Sequence, residues 1–132
     1  MIRKAFTSPD RVDHPDGVWS ANVLSINARD EPYTMILQVN AYHDVAAVLA
    51  KGEPVAGMAR QYRITGYEFA DIAQAIVATG LSFYDAIADM AERYVMAKLD
   101  TPSGEFVEVQ APNGDLLQVP VMVSYFDGCE RF

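Results

Sequence analysis

Hydrophobic and polar residues alternate along three short segments of the N-terminal half, which is the pattern of half-buried β-strands. The first segment, Val18 to Ile26, places Trp19, Ala21 and Val23 on one face. The second, Tyr33 to Val39, alternates in the same way, and the turn-like sequence NARDEP between them predicts a hairpin. We interpret Met58 to Ile64 as a third strand, although its Ala and Arg residues are equally compatible with a helix.

Two helices are predicted on either side of that third segment. The shorter one extends from Ala41 to Lys51, with Asn40 as its N-terminal cap. The longer one begins after Thr65, which forms a potential capping box with Glu68, and ends before Gly80. Its residues at core spacing are Phe69, Ile72, Ala73, Ile76 and Val77. Its other side is also largely apolar, which predicts a helix that is either central to the fold or covered by a partner.

The next helix, Phe83 to about Leu99 with Ser82 as its cap, carries acidic residues opposite its apolar face. The predicted buried side chains are Phe83, Ile87, Met90, Ala91 and Tyr94. On the far side Asp85, Asp89, Glu92 and Met96, which we call the acidic stripe, lie within about 60° of one another. Together with Asp71 of the preceding helix, the stripe is the predicted partner-binding surface, and a merely solvated face is the alternative.

A final hairpin is predicted from Glu105 to Phe126, after Thr101–Gly104 breaks the helix. Pro112 and Gly114 suit its turn, while Pro120, which has no N–H to donate, predicts an edge strand or a bulge. Its apolar faces are Val107, Val109 and Ala111 on one strand, and Leu117, Val119, Val121, Val123 and Tyr125 on the other.

These elements predict a single α+β domain over residues 1–132, in the order ββαβααββ. About five mostly antiparallel strands form a sheet, with the helices packed on it. The sequence shows no internal repeat, low-complexity tract or domain linker.

Charge is distributed unevenly along the chain. Residues 1–64 contain seven Lys/Arg and seven Asp/Glu, whereas residues 65–132 contain three and eleven, so the second half carries the whole net charge of −8. Direct binding to nucleic acid requires Lys and Arg side chains that contact phosphates, so the acidic second half predicts no direct nucleic-acid binding. A basic protein surface is the natural complement, although excess acid also keeps small proteins soluble.

The sequence predicts a cytoplasmic protein without a membrane segment. No apolar run approaches the ~20 residues that span a bilayer, and the first residues lack the apolar stretch of a signal peptide. Cys129 is the single cysteine, so an internal disulfide is impossible.

Catalytic and metal-binding patterns are weak. Asp10, Asp13, His14 and Asp16 do not have the spacing of a calcium loop, and the adjacent prolines explain them as turn residues. No nucleophile motif accompanies His43, and no glycine-rich phosphate loop is present. We therefore predict no catalytic residue, no metal and no cofactor.

The leading functional prediction is a non-enzymatic binding protein that occupies a basic or nucleic-acid-binding surface of another protein. In size and charge the chain is similar to phage-encoded anti-defence inhibitors, such as anti-CRISPR and anti-restriction proteins, and to toxin immunity proteins. One alternative is a small enzyme or ligand-binding domain with a pocket formed by His43, Arg60, Tyr62 and Arg63. The other is a homo-oligomeric structural or assembly subunit whose copies meet through the Phe69–Thr79 helix.

Overall fold

The structure, a computed structural model, describes residues 1–132 apart from the side chains of residues 83 and 84. The strands are β1 (Ile2–Arg3), β2 (Phe6–Thr7), β3 (Asp13–His14), β4 (Val18–Asn27), β5 (Thr34–Tyr42), β6 (Arg60–Thr65), β7 (Leu99–Gln110), β8 (Leu116–Ser124) and β9 (Glu130–Arg131). The helices are α1 (Val45–Leu49), α2 (Gly66–Ala78) and α3 (Phe83–Ala97). The chain is therefore α+β, as the sequence predicts.

An antiparallel sheet of five strands in the order β6-β5-β4-β1-β9 forms the body of the molecule. The predicted β4–β5 hairpin is its centre, paired from Val18 opposite Tyr42 to Asn27 opposite Thr34. The sheet has five strands, as the sequence predicts, but its membership differs, because it includes β1 and β9 and does not include the predicted C-terminal hairpin. These two-residue strands are too short to show an alternating pattern, so only tertiary pairing defines them.

Trp19 is the centre of the core. Its side chain is fully buried and makes edge contacts with Phe6, Tyr125 and Phe126, whose ring centroids lie 5.3, 5.5 and 5.4 Å away. Its indole Nε1 donates a hydrogen bond of 3.1 Å to the carbonyl of Lys4, so its one polar group is satisfied. Helix α3 packs over β4 and contributes Ala91 and Val95, both buried, to this core.

The short helix differs from its prediction at both ends. Strand β5 continues to Tyr42, so the helix occupies only Val45–Leu49. Asn40 was predicted as its cap, but Asp44 fills that role, since its carboxylate accepts a hydrogen bond of 2.8 Å from the backbone N–H of Ala47. The alternation of β5 extends past Asn40, which explains the error.

The two long helices begin and end close to the predicted residues, but the capping box predicted at the start of α2 is wrong. Thr65 is the N-cap of α2, but its side chain makes no capping hydrogen bond. Glu68 instead accepts a hydrogen bond from the Tyr94 hydroxyl, so the predicted capping box does not form. Gly80 follows α2 in the left-handed conformation (φ 66°), and Ser82 caps α3 as expected. The predicted burial of Phe83 lies outside the described side chains.

The C-terminal hairpin forms a separate two-stranded sheet, β7–β8, which we call the arm (residues 99–124). Strand β7 starts directly after α3, so the predicted break at Thr101–Gly104 lies within an irregular part of this strand. The register shifts between Pro102 and Phe106, and Phe106 then lies opposite Pro120. The prediction of an edge strand or bulge at Pro120 is therefore correct.

Candidate interaction surface

One face of the arm is continuous and apolar. The strand register places Val107 opposite Val119 and Val109 opposite Leu117, so all four side chains share that face. They are between 40 and 50 % exposed, because no described element covers them. Contact between the arm and the body is concentrated at the base, where β8 packs against α3. The predicted face is thus present, but it is uncovered.

The opposite face of the arm mixes apolar and polar side chains. Phe106 is 62 % exposed, and Leu116 and Met122 are exposed on the same face. Glu108 and Gln118 lie opposite each other between them. Both faces of this ribbon therefore present large apolar side chains to solvent, which is unusual for a folded monomer.

The arm is also strongly acidic. It contains Asp100, Glu105, Glu108 and Asp115 and no Lys or Arg, so it holds half of the net charge of −8. The sequence prediction placed the acidic contact on α3 and missed the arm. The signal that would have found it is the run from residue 99 to 130 without a basic residue, combined with apolar alternation on both strands.

Buried and partly buried hydrogen bonds attach the base of the arm to the body. The buried Ser124 hydroxyl donates to the carbonyl of Val95 at 3.0 Å and accepts from the N–H of Phe126 at 3.1 Å. Asp100 accepts from Arg60 Nη2 at 3.1 Å and from the N–H of Tyr125 at 3.3 Å. The arm thus leaves the body at a defined point, while none of the elements that the structure describes covers its outer part.

The acidic stripe of α3 is largely engaged within the chain. Arg131 of β9 contacts both Asp89 and Glu92, and its Nε lies 2.7 Å from Glu92 Oε2. Arg93 Nε donates a second bond, of 2.8 Å, to Asp89. Hydrogen bonds from Arg131 and then Arg93 lower the pKa of Asp89 below its ordinary value. These two carboxylates therefore fasten β9 to α3.

The other predicted contact residues occupy different surroundings. Asp85 accepts a bond of 2.8 Å from the Ser82 hydroxyl in the first turn of α3. Met96 is half-buried against the core, whereas Asp71 is exposed on α2. The five residues Asp71, Asp85, Asp89, Glu92 and Met96 thus do not form one free acidic surface, and their partner-binding role stays a prediction.

Helix α2 is the second uncovered apolar element. None of its residues is buried, although Phe69 and Ile72 pack against the core. Ala73 and Val77 were predicted to face the core, but both are exposed, Val77 by 82 %. The helix lies over β5 and β6, the last two strands of the sheet, so nothing described covers its outer side. A groove of about 460 Å³, lined by Ile72, Ile76, Met90 and Tyr94 among others, separates it from α3.

The alternative pocket is only partly assembled. Arg60 and Tyr62 share a face of β6, where Arg60 Nε donates to the Tyr62 hydroxyl at 3.3 Å and its guanidinium lies 4.0 Å from the Tyr125 ring centroid. Burial raises the pKa of Tyr62. Arg63 points to the opposite, exposed face, and His43 Nδ1 lies 2.9 Å from His14 Nδ1. The four predicted residues are therefore not brought together at one site.

Among the described residues, no three His, Cys, Asp or Glu side chains are grouped as metal ligands. None of the helices, as far as they are described, combines the length and the hydropathy needed to cross a membrane. Comparison of the chain with protein-family models, with curated proteins and with solved structures found no match.

Proposed function

We propose that this chain is a non-enzymatic binding protein and that the arm is its main contact with another macromolecule. The observation that carries this proposal is the uncovered face of Val107, Val109, Leu117 and Val119. An isolated two-stranded hairpin is only marginally stable in water, so an arm of this length gains stability when a partner covers it. Contiguous apolar surface on a soluble domain is typical of interaction sites.

The arm also defines the chemistry of its partner. Its apolar side chains require an apolar groove or sheet edge, and the carboxylates of Glu105, Glu108 and Asp115 require Lys or Arg around that surface. Asp100, the fourth acid, is already paired with Arg60. Direct binding to nucleic acid is disfavoured because the carboxylates repel phosphates. The proposal thus keeps the predicted basic protein partner but moves the contact from the acidic stripe to the arm.

Two narrower predictions belong to this proposal. A role as an inhibitor, of the kind found among anti-defence or immunity proteins, is supported by small size and acidic charge. A cytoplasmic location is supported by the single cysteine, which cannot form an internal disulfide. Neither affects the test of the arm.

Site-specific photocrosslinking in the native host tests the arm directly. A benzophenone amino acid replaces Phe106 of the arm in one variant and Leu49 of α1 in the control, because Leu49 is 73 % exposed but lies outside both uncovered elements. We expect a discrete protein adduct from position 106 and none from position 49, since a photoreactive side chain captures only what lies against it.

Two outcomes of the crosslinking experiment would contradict the proposed role of the arm. The absence of any adduct from position 106 would show that the arm is not a contact surface. Equal adducts from both positions would show that capture reflects collision instead of binding. The mass of a specific adduct also tells whether the partner is a second copy of the chain or a different protein.

A further inference from the structure

We propose that a second copy of this chain is a partner of the arm: the arm of one copy pairs with the free edge of β6 in another copy, beneath the exposed side of α2. This inference rests on the proposed function, since it takes the arm as the contact element. It names the occupant of the arm and the place where it binds.

The backbone supplies the first argument. Strand β6 is the last strand of the sheet and pairs only with β5, so its other side has no strand partner within the described chain. The opposite edge, β9, is only two residues long and is a poor template. In the described structure both outer edges of the arm lack a strand partner as well, along strands of twelve and nine residues. Free strand edges pair readily with other strands, which is the basis of recognition by strand addition.

Charge supplies the second argument. Strand β6 contains Arg60 and Arg63 and no acid, whereas the arm contains four acids and no base. Arg60 of β6 already forms an ion pair with Asp100 of the arm within one copy, which shows that the two elements can pair through their charges. Arg63 lies about 10 Å farther along the strand and makes no ion pair with a described side chain. An incoming arm would bring Glu105 or Glu108 to this guanidinium.

Helix α2 supplies the third argument. It packs over β5 and β6, and its outer side exposes Ala73 and Val77. A strand added to β6 would lie next to that side, so the apolar face of the arm would cover it. One arrangement therefore buries both uncovered apolar surfaces of the chain. The contact joins different surfaces of the two copies, so it gives a reciprocal dimer or a ring where the rotation between copies closes, and an open filament where it does not.

The test is the mass of the purified chain in solution, measured by light scattering after size-exclusion chromatography and by sedimentation over a wide range of concentration. We expect an average mass above the 14.6 kDa of one copy, and we expect this mass to increase with protein concentration. Arg63→Glu should weaken the association by at least roughly tenfold, because like charges would then face each other. The arm variant Glu105→Lys/Glu108→Lys should weaken it similarly, while a mixture of the two variants should associate again.

Arg3→Glu is the matched control. It is the same charge reversal on an exposed strand residue, and although it also breaks the exposed ion pair of 3.7 Å between Arg3 and Glu130, β1 is separated from β6 by β4 and β5. It should leave the association unchanged. Near-UV circular dichroism of each variant verifies that the body remains folded.

The association of these variants decides whether the arm pairs with β6 of a second copy. Association that is lost in both charge variants, recovered in their mixture and retained by Arg3→Glu would support the inference. A monomer at every concentration would overturn it, as would association that is insensitive to Arg63 and the arm. In either of those cases, a crosslinked adduct between position 106 and a different protein would leave the proposed function intact.

Discussion

Strand β5 and the arm have the same alternating pattern but opposite surroundings. Met35, Leu37 and Val39 of β5 are 0–3 % exposed, whereas the corresponding apolar residues of the arm are 40–50 % exposed. The difference arises because β5 has a strand on each side and lies beneath the helices, while β7 and β8 have no further strand partner in the described part of the chain and contact α3 only near the base of the arm. Alternation thus identifies which residues share a face, but neighbouring elements decide whether that face is covered.

The largest expected effect comes from truncating equivalent leucines in the two regions. Leu37→Ala removes fully buried methyl groups and leaves a cavity, so the free energy of unfolding should fall by about 2–5 kcal/mol. Leu117→Ala removes half-exposed groups from the arm, and its cost should stay below about 1 kcal/mol. Urea denaturation at low protein concentration measures both.

Repeating the denaturation at several protein concentrations separates the two leucine variants further. If partner binding covers the arm, the cost of Leu117→Ala should increase with protein concentration, because association then contributes to stability. The cost of Leu37→Ala should increase much less. A large cost of Leu117→Ala even at the lowest concentration would show that the arm is covered within one copy, which would contradict the contrast with β5.

The sequence was informative where local chemistry determines the structure. The cap at Ser82 and the end of α2 at Gly80 depend on short-range hydrogen bonding and on a left-handed residue, and both were predicted correctly. The end of β5 was predicted less well, because the backbone near Asn40 is compatible with both a strand and a cap. β1 and β9 were missed since their pairing depends entirely on β4 and on each other.

The candidate surface was harder to predict than the fold. Periodicity placed Asp89 and Glu92 opposite the apolar face of α3, but it contains no information about Arg131, which follows them by about forty residues and pairs with both of them. In the same way, periodicity placed Val77 at a core position, while only the sheet order shows that α2 lies at an edge. Long-range pairing, not local pattern, decides which charges and apolar faces remain available.

The junction between arm and body should show an intermediate effect. Ser124→Ala removes the buried hydroxyl that bonds Val95 and Phe126, so a buried carbonyl and a buried N–H lose a partner. We expect a loss of about 1–3 kcal/mol, whereas Ser103→Ala in the exposed part of the arm should change stability by less than about 0.5 kcal/mol. Chemical denaturation measures both. Equal costs would mean that the base of the arm is no more fixed than its outer part.

The smallest effect concerns the ion pairs that attach β9 to α3. Because Arg131 and Arg93 lower the pKa of Asp89, this carboxylate stabilises the folded state above its ordinary value of 3.8, and the contribution is lost as the pH falls through the lower, folded-state value. Asp89→Asn should therefore cost no more than about 1 kcal/mol at neutral pH, since partly exposed ion pairs are screened by water and salt. The stability difference between the two proteins, followed by denaturation at decreasing pH, should shrink below pH 3.8. A difference that stays constant in strong acid would show that Asp89 acts through packing and not through its charge, and the acidic stripe would then again be available to a partner.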